Sequence, residues 1–197
     1  MDKDLIYSKL TTKKIGKNII LYDIIDSTQD EIKRKKDLKE GTVIISELQT
    51  KGKGTHGRVW YTDSFGKNIA FTLVLYPQVD VNRLDGITIV IAKCVIKTFK
   101  TLYNIDLQIK YPNDIVCNLK KIGGILTQTT VQNSIVKKLY IGIGINILQE
   151  EFNENIQNIA SSIKKEFNIE CKREDIISTF FNFFEEEYLK IVGEFNE

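Results

Sequence analysis

The segment between residues 50 and 66 combines glycines with basic side chains, as phosphate-binding loops do. It contains Gly52-Lys53-Gly54-Thr55-His56-Gly57, followed closely by Arg58 and by Trp60, the only tryptophan of the chain. Glycines let backbone amides approach a phosphate closely, and Lys53 and Arg58 add positive charge beside it. An indole suits contact with a flat organic ring. The segment therefore predicts a site for an anionic ligand that carries a ring, and the alternative is a flexible loop with ordinary turn glycines.

The same segment matches two known glycine motifs, but its surroundings fit neither. G-x-G-x-x-G indicates a dinucleotide site when a strand leads through it directly into a helix. Here the apolar pattern predicts that the loop runs on into another strand. With Val59 the match extends to the glycine-rich loop of protein kinases, which also need an H-R-D loop and a D-F-G motif. Neither motif occurs and the only histidine is His56, so both interpretations fail.

The elements that must position this loop follow from the apolar pattern. Runs of β-type residues predict strands at Asn18–Ile25, Thr42–Leu48, Asn68–Tyr76, Leu107–Tyr111, Ile115–Cys117, Lys121–Thr130 and Ile135–Ile147. Apolar residues at helical spacing predict helices over Val81–Tyr103 and Arg173–Val192. Thr28 and Glu31 have the spacing of a capping box, which predicts another helix start. Because strands and helices do not alternate regularly, we predict an α+β fold with a mixed, largely antiparallel sheet flanked by helices.

Composition limits the class of protein. A chain of 197 residues with 42% apolar and 27% charged residues predicts one folded domain, here residues 1–197. Its net charge of +2 does not suggest nucleic acid as a partner. We expect no signal peptide and no membrane span, because no apolar run is long enough. Cys94, Cys117 and Cys171 are far apart and lack C-x-x-C spacing, which indicates reduced thiols and a cytoplasmic protein.

Five segments, in order and spacing, resemble the catalytic domain of biotin protein ligases. They are Asp26–Gln29 (D-S-T-[NQ]), Gln49–Trp60 (Q-T-x-G-R-G-R-x-G-R-x-W), Lys110–Asp114 (K-W-P-N-D), Lys121–Leu126 (K-[IL]-[AG]-G-[IV]-L) and Ile141–Asn146 (I-G-x-G-I-N). Each motif alone is weak, and the five together are specific. The resemblance runs from about residue 19 to 190. It implies the fold that biotin and lipoate ligases share with class II aminoacyl-tRNA synthetases.

The resemblance also implies a reaction with two steps and three small molecules: biotin, ATP and Mg²⁺. In the first step the biotin carboxylate attacks the α-phosphorus of ATP, which gives biotinyl-adenylate and pyrophosphate. In the second step a lysine of a biotin carboxyl carrier protein, or of a carrier domain within a biotin-dependent carboxylase, takes the biotin and AMP leaves. The partners implied include neither nucleic acid nor a membrane, and the chain itself would be a monomer or a homodimer.

By the same resemblance, each motif residue has an expected role. The biotin site would comprise Ser27, Thr28, Gln29, Gln49, Lys53, Gly54, Thr55, Lys121 and Gly124. The site for ATP and the adenylate would comprise Gly52, Lys53, Arg58, Trp60, Asn113, Asp114 and Asn146. Lys121 would offset the repulsion between the two anions, and Asp114 would accept a hydrogen bond from the incoming lysine. Asn113 and Asp114 would also hold Mg²⁺ with the ATP phosphates, because a hard cation prefers oxygen ligands.

Three departures from the family pattern stand in the motifs. Lys53 replaces an arginine of the loop and loses its bidentate fork, Thr55 replaces a second arginine and loses the charge, and Tyr111 replaces a tryptophan. We therefore expect biotinyl-adenylate to be held less tightly than in relatives with both arginines. The sequence also predicts neither the N-terminal winged helix of the repressor relatives nor a C-terminal SH3-like barrel.

Two alternatives remain at this level. A lipoate or octanoate ligase would acylate a carrier lysine through the same fold, although the glycine loop with Trp60 and the P-N-D segment favour biotin. A binding module without catalysis would keep Ser27, Thr28 and Gln49 but would not need Lys121 or Asp114.

Overall fold

The computed structural model describes residues 1–62 and 64–193, and its centre is one sheet of eight strands. The strands are β1 (Asn18–Ile25), β2 (Thr42–Gln49), β3 (Ile69–Leu75), β4 (Val79–Asp80), β5 (Gln108–Lys110), β6 (Asp114–Cys117), β7 (Lys120–Gln132) and β8 (Ile135–Ile145). Their spatial order is β1-β2-β3-β8-β7-β6-β5, with β4 paired to β8 off this path. Among the strands of the described residues, only β1 and β2 pair with each other in parallel. The predicted α+β class with a largely antiparallel sheet is confirmed.

Within residues 1–62 and 64–193, five α-helices pack around this sheet. They are α1 (Lys3–Ser8), α2 (Thr28–Arg34), α3 (Ile87–Tyr103), α4 (Ile163–Phe167) and α5 (Arg173–Val192). The main core lies between one face of the sheet and helices α3 and α5, where the Phe71 ring meets that of Phe181 edge-on at 5.3 Å. On the opposite face, a smaller apolar cluster around Ile32 holds α2 against β2, β3 and β8. Much of that second face is left without a helix.

Residue alternation along β8 explains why the second face differs from the first. Ile141, Ile143 and Ile145 point into the main core and are almost fully buried. The residues between them, Gly142 and Gly144, lie on the second face because successive side chains of a strand point to opposite sides. One face of β8 therefore packs tightly in the main core, whereas β8 contributes no side chains to the centre of the opposite face.

Two predicted helix starts are wrong in detail. The helix predicted from Val81 begins at Ile87, because Gly86 takes a left-handed conformation with φ +77° and separates the helix from a 3-10 turn over Val81–Leu84. Helix α2 is capped by Ser27, whose hydroxyl accepts a hydrogen bond from the Asp30 amide, and not by Thr28. Thr28 is free to turn its side chain towards the sheet. The short elements α1, α4 and β4 were not predicted, since they are too short to show a period.

The three cysteines are buried and free, as the sequence predicted. Burial raises the pKa of Cys94 to about 12 and that of Cys171 to about 11, so neither thiol ionises near neutral pH. No helix in the described ranges has the length and apolar character needed to cross a bilayer.

Candidate active site

A cavity of about 710 Å³ opens on the second face of the sheet, over Gly142 and Gly144. The predicted site residues that line it are Ser27, Thr28, Gln29, Gln49, Lys53, Gly54, Thr55, Arg58, Trp60, Asn113, Asp114, Lys121, Gly124 and Asn146. Gly52 is the one predicted residue outside the lining. Residues that are up to 119 positions apart thus meet at one cavity, although their individual roles stay predictions.

The floor of the cavity is made of glycines that admit larger side chains from other elements. A Cβ atom on Gly144 would lie 2.4 Å from Cε2 of Trp60, and one on Gly142 would lie 2.7 Å from Oε1 of Gln29. Gly124 likewise makes room for Trp60 and Lys121. Gly142 and Gly144 were not among the predicted site residues, although their alternation with isoleucine marks the open face of the strand.

One end of the cavity is a buried polar cluster. The Thr28 amide and hydroxyl both donate to Oε1 of Gln49, at 2.8 and 3.1 Å. The Thr72 hydroxyl lies 2.9 Å from that of Thr28 and 3.0 Å from Oε1 of Gln29. These side chains and Ser27 are all less than a tenth exposed. Buried groups that already hold one another in place form a rigid set of donors and acceptors for a small polar ring. Thr72 was missed because it looks like an ordinary residue inside a strand.

A second feature of the cavity is an ion pair between Asp114 on β6 and Lys121 on β7. Nζ of Lys121 lies 2.6 Å from Oδ1 of Asp114, and also 5.8 Å from the centre of the Trp60 ring. The pairing of the two strands shifts register between Ile115 and Val116, so a bulge lies next to this pair. Asn113 is anchored by its side-chain amide, which donates to the Ile125 carbonyl at 3.1 Å. Lys121 and Asp114, which were each predicted to act in the reaction, therefore contact each other.

The glycine segment is folded back on itself as a short hairpin. The Trp60 amide donates to the Gly52 carbonyl at 2.9 Å, and the Gly54 amide donates to the Arg58 carbonyl at 2.8 Å. A side chain on Gly52 would lie 2.3 Å from the Trp60 carbonyl oxygen, which explains the glycine without any ligand contact. Lys53 reaches Asp30 at 2.7 Å. Arg58 has no ion pair among the described residues and is exposed at the rim of the cavity.

Trp60 combines these features, since it lies between the glycine floor and Lys121. Its indole nitrogen is buried and has no hydrogen-bond partner among the described residues. Buried donors without a partner are rare in folded proteins, and a ligand acceptor is one way to satisfy such a group. The sequence predicted that Trp60 contacts a ring of the ligand. The structure adds that its indole N–H could donate a hydrogen bond to the ligand.

One wall of the cavity was not predicted from the sequence. It is formed by Phe152, Asn155, Ile156, Ile159 and Ala160, in a segment without regular secondary structure. The wall is tied to β7, because the Lys121 amide donates to the Ile159 carbonyl at 2.8 Å and the Ser161 amide donates to the Lys121 carbonyl at 2.9 Å. Asn146 joins the same wall, as its side chain donates to the Ser161 carbonyl at 3.0 Å. The segment shows no apolar period, so its sequence carries no signal of this position.

An exposed ion pair braces the turn that presents Ser27. Both terminal nitrogens of Arg34 lie 2.7 Å from the carboxylate of Asp26, whose Oδ1 also accepts from the Ser27 amide at 2.7 Å. The Arg34 guanidinium holds the pKa of Asp26 well below its usual range. Asp26 therefore stays ionised at any pH where the protein would work. The ion pair and the Ser27 hydrogen bond thus share one carboxylate at the turn between β1 and α2.

We expect Gly144→Ala to displace the indole of Trp60, because the new methyl group would overlap the ring. Overpacking of this kind costs about 1–3 kcal/mol of unfolding free energy. Trp60 is the only tryptophan, so its fluorescence emission reports its surroundings directly, and we expect the emission to shift to longer wavelength. Ile143→Val is the matched control, since it removes a core methyl from the other face of β8. Urea unfolding should show a loss in both variants, and unchanged emission in Gly144→Ala would contradict the packing described.

Comparison with known proteins agrees with this fold. The model of the biotin/lipoate A/B protein ligase family matches residues 21–146. The chain is 32% identical to the bifunctional ligase/repressor BirA of Bacillus spizizenii over 183 residues, and 28% identical to biotin–protein ligase 2 of Arabidopsis thaliana over 189 residues. These alignments cover 91% and 92% of this chain, which spans only 56% of the length of each relative. The solved biotin protein ligase of Aquifex aeolicus in complex with biotin and ATP superposes with a TM-score of 0.77 at 27% identity, covering 90% of this chain and 73% of that one.

Proposed function

The chain belongs to the biotin/lipoate A/B protein ligase family, and from this premise we propose that it joins biotin to a lysine of a carrier protein at the expense of ATP. One observation carries the proposal: the buried polar cluster of Thr28 and Gln49 opens into the same cavity as Lys121 and Asp114. A rigid polar pocket beside a cation suits a reaction that binds a neutral ring and then activates its acid group.

The polar end of the cavity would hold the ureido ring of biotin. That ring carries one carbonyl acceptor and two N–H donors, and it therefore needs partners of both kinds in a confined space. Ser27, Thr28 and Gln49 offer hydroxyl and amide groups at the buried end. The carboxylate of the vitamin, at the end of its chain, would then point along the glycine floor towards Lys121.

Activation would follow from bringing two anions together. An oxygen of the biotin carboxylate attacks the α-phosphorus of ATP, the bond from that phosphorus to the bridging oxygen breaks, and pyrophosphate leaves. Lys121 is able to lower the repulsion between the two anions, because a unit charge at about 4 Å contributes roughly 4 kcal/mol near a protein surface. Asp114 pairs with this charge and keeps it within the cavity.

Mg²⁺ would enter with ATP and would bind here with few protein ligands. The described residues contain no cluster of three or more His, Cys, Asp or Glu side chains that could hold a metal alone. Mg²⁺ usually keeps its waters and binds one or two carboxylates together with substrate phosphates. Asp114 and the side-chain oxygen of Asn113 fit that mode. A cation on Asp114 would also release Lys121 towards the substrates.

Transfer would complete the reaction. The nitrogen of an acceptor lysine attacks the acyl carbon of biotinyl-adenylate, the bond from that carbon to the phosphate oxygen breaks, and AMP leaves. Asp114 is a candidate acceptor for the proton that the amine loses, since free lysine with a pKa near 10.4 is protonated at neutral pH. We propose a carrier domain of a biotin-dependent carboxylase, in the cytoplasm, as the source of this lysine.

Release of pyrophosphate from ATP tests the proposal. We expect pyrophosphate when biotin, ATP and Mg²⁺ are present, and none when biotin is left out or replaced by lipoate. Lipoate-dependent release would instead identify a lipoate-type ligase. Biotin binding by calorimetry without any pyrophosphate would identify a binding module and would falsify the ligase proposal.

A further inference from the structure

Leu119 stands at the mouth of the cavity in a conformation that leucine rarely takes. It follows Asn118 in the two-residue turn between β6 and β7, two residues before Lys121. Both turn residues have positive φ, +48° at Asn118 and +66° at Leu119. This is the geometry of a type I′ turn, in which the second position strongly favours glycine.

The side chain gains nothing from this position within the described chain. Leu119 is 90% exposed, the highest value among the large apolar side chains of residues 1–62 and 64–193. A left-handed backbone is also unfavourable for any residue with a Cβ. Strain of this kind is a pointer to function when it lies at a site. Leucine at this position therefore makes sense when another molecule covers it.

Two other exposed apolar side chains share the mouth of the cavity. Ile159 is 63% exposed and Val59 is 56% exposed, and both line the cavity together with Leu119. We call these three residues the apolar rim. The Ile159 carbonyl accepts a hydrogen bond from the amide of Lys121, two residues after Leu119, while Val59 lies on the glycine segment. All three thus present exposed apolar surface at the cavity that a substrate must enter.

We propose that the apolar rim is the docking surface for the protein that supplies the acceptor lysine, with Leu119 as its principal contact. This inference rests on the proposed function. An extended lysine side chain spans roughly 6 Å from its Cα to its nitrogen. An acceptor lysine that reaches the Lys121–Asp114 pair must therefore bring its backbone down onto the mouth. Leu119, only two residues from Lys121, would be covered by that backbone and its neighbours.

Charge at the mouth indicates the chemistry of the partner. Lys110 and Arg58 line the cavity and are exposed, and Lys120 lies between Leu119 and Lys121. None of these three cations has an ion pair in the part of the chain that the structure describes. Glu166 also lies beside this turn, where its carboxylate accepts a hydrogen bond from the side-chain amide of Asn118 at 2.8 Å. The docking face is thus apolar in its centre and mostly, but not entirely, basic around it. It fits an acceptor that presents its lysine beside an apolar side chain within an acidic surface.

Two acceptors separate docking from chemistry. Hydroxylamine is a small nucleophile that takes the biotinyl group without docking on the protein. A purified biotin carboxyl carrier domain of an acetyl-CoA carboxylase, in contrast, would have to dock on the apolar rim before its lysine reacts. The variants are Leu119→Gly and Leu119→Asn, both of which suit a left-handed turn and should fold. We expect kcat/KM for the carrier domain to fall about 10-fold in each, as expected from losing one buried leucine contact. We expect the rates with hydroxylamine and the KM for ATP to stay at the values of the unmodified protein.

Leu5→Ala is the matched control, because Leu5 is an apolar side chain that is half exposed on α1 and does not line the cavity. Its kcat/KM for the carrier domain should equal that of the unmodified protein. An unchanged carrier rate in the Leu119 variants would overturn the proposal. So would a raised KM for ATP or a parallel loss with hydroxylamine, since Leu119 would then belong to the chemical site. Failure of the unmodified protein to release pyrophosphate would instead refute the proposed function.

Discussion

Lys121→Ala should lower the rate of adenylate formation by about 10²–10³, the loss seen when one preorganised group that stabilises a developing charge is removed. The reason is electrostatic, because no other cation of the described residues lies in an ion pair with Asp114. The variant removes the charge that would separate the two reacting anions, and it also leaves Asp114 unpaired. Pyrophosphate exchange in the presence of biotin measures the first step without the acceptor.

Two further variants make this result specific. Lys120→Ala removes a neighbouring lysine that forms no ion pair among the described residues, and its rate should stay within about 2-fold of the unmodified protein, as is usual for surface charges. Lys121→Arg keeps the charge but changes its geometry, and it should recover only part of the rate. Near-normal exchange in Lys121→Ala would remove Lys121 from its proposed role.

Gln49→Leu should weaken biotin binding by about 100-fold while leaving the KM for ATP within about 2-fold. Oε1 of Gln49 accepts two hydrogen bonds from Thr28, so the variant removes a ligand contact and also leaves the Thr28 amide without its partner. Each lost hydrogen bond at a buried group costs about 1–3 kcal/mol, and 1.4 kcal/mol corresponds to a factor of ten in affinity. Isothermal titration calorimetry with biotin measures the loss.

The same substitution at Gln108, an exposed residue of β5 outside the cavity, is the matched control and should leave biotin affinity unchanged. Thr28→Val gives a second measure that keeps the volume of the side chain and removes only its hydroxyl. It should weaken biotin binding by about 10-fold. Unaltered affinity in both cavity variants would show that the ureido ring does not bind at this end.

The sequence predicted the framework of the protein because the framework depends on local patterns. Seven of the eight strands and helix α5 follow from short apolar runs and from helical spacing. The alternation of isoleucine and glycine along β8 already indicates which residues lie on each face, because successive side chains of a strand point to opposite sides. The five ordered motifs predicted the family, which the family match confirms.

The cap of α2 shows where local patterns stop being sufficient. Ser27 and Thr28 are both good capping residues, and the spacing from Thr28 to Glu31 favoured the second. Contacts with the sheet favour Ser27 as the cap, because Thr28 can then form hydrogen bonds with Gln49 and Thr72. A choice between two adjacent residues of similar propensity thus depended on contacts 21 and 44 positions away.

From its own residues and their order, the chain determined a mixed sheet with flanking helices, the glycine loop, and many of the side chains that meet at the cavity. Only the tertiary structure decided that Trp60 fills the space over Gly144 and that Lys121 forms an ion pair with Asp114. It also decided that residues 152–160 form one wall of the cavity. These contacts depend on strand register and on atoms approaching within a few ångströms across the fold. Spacing along the chain carries no information about such distances, because they are set where separate elements pack together.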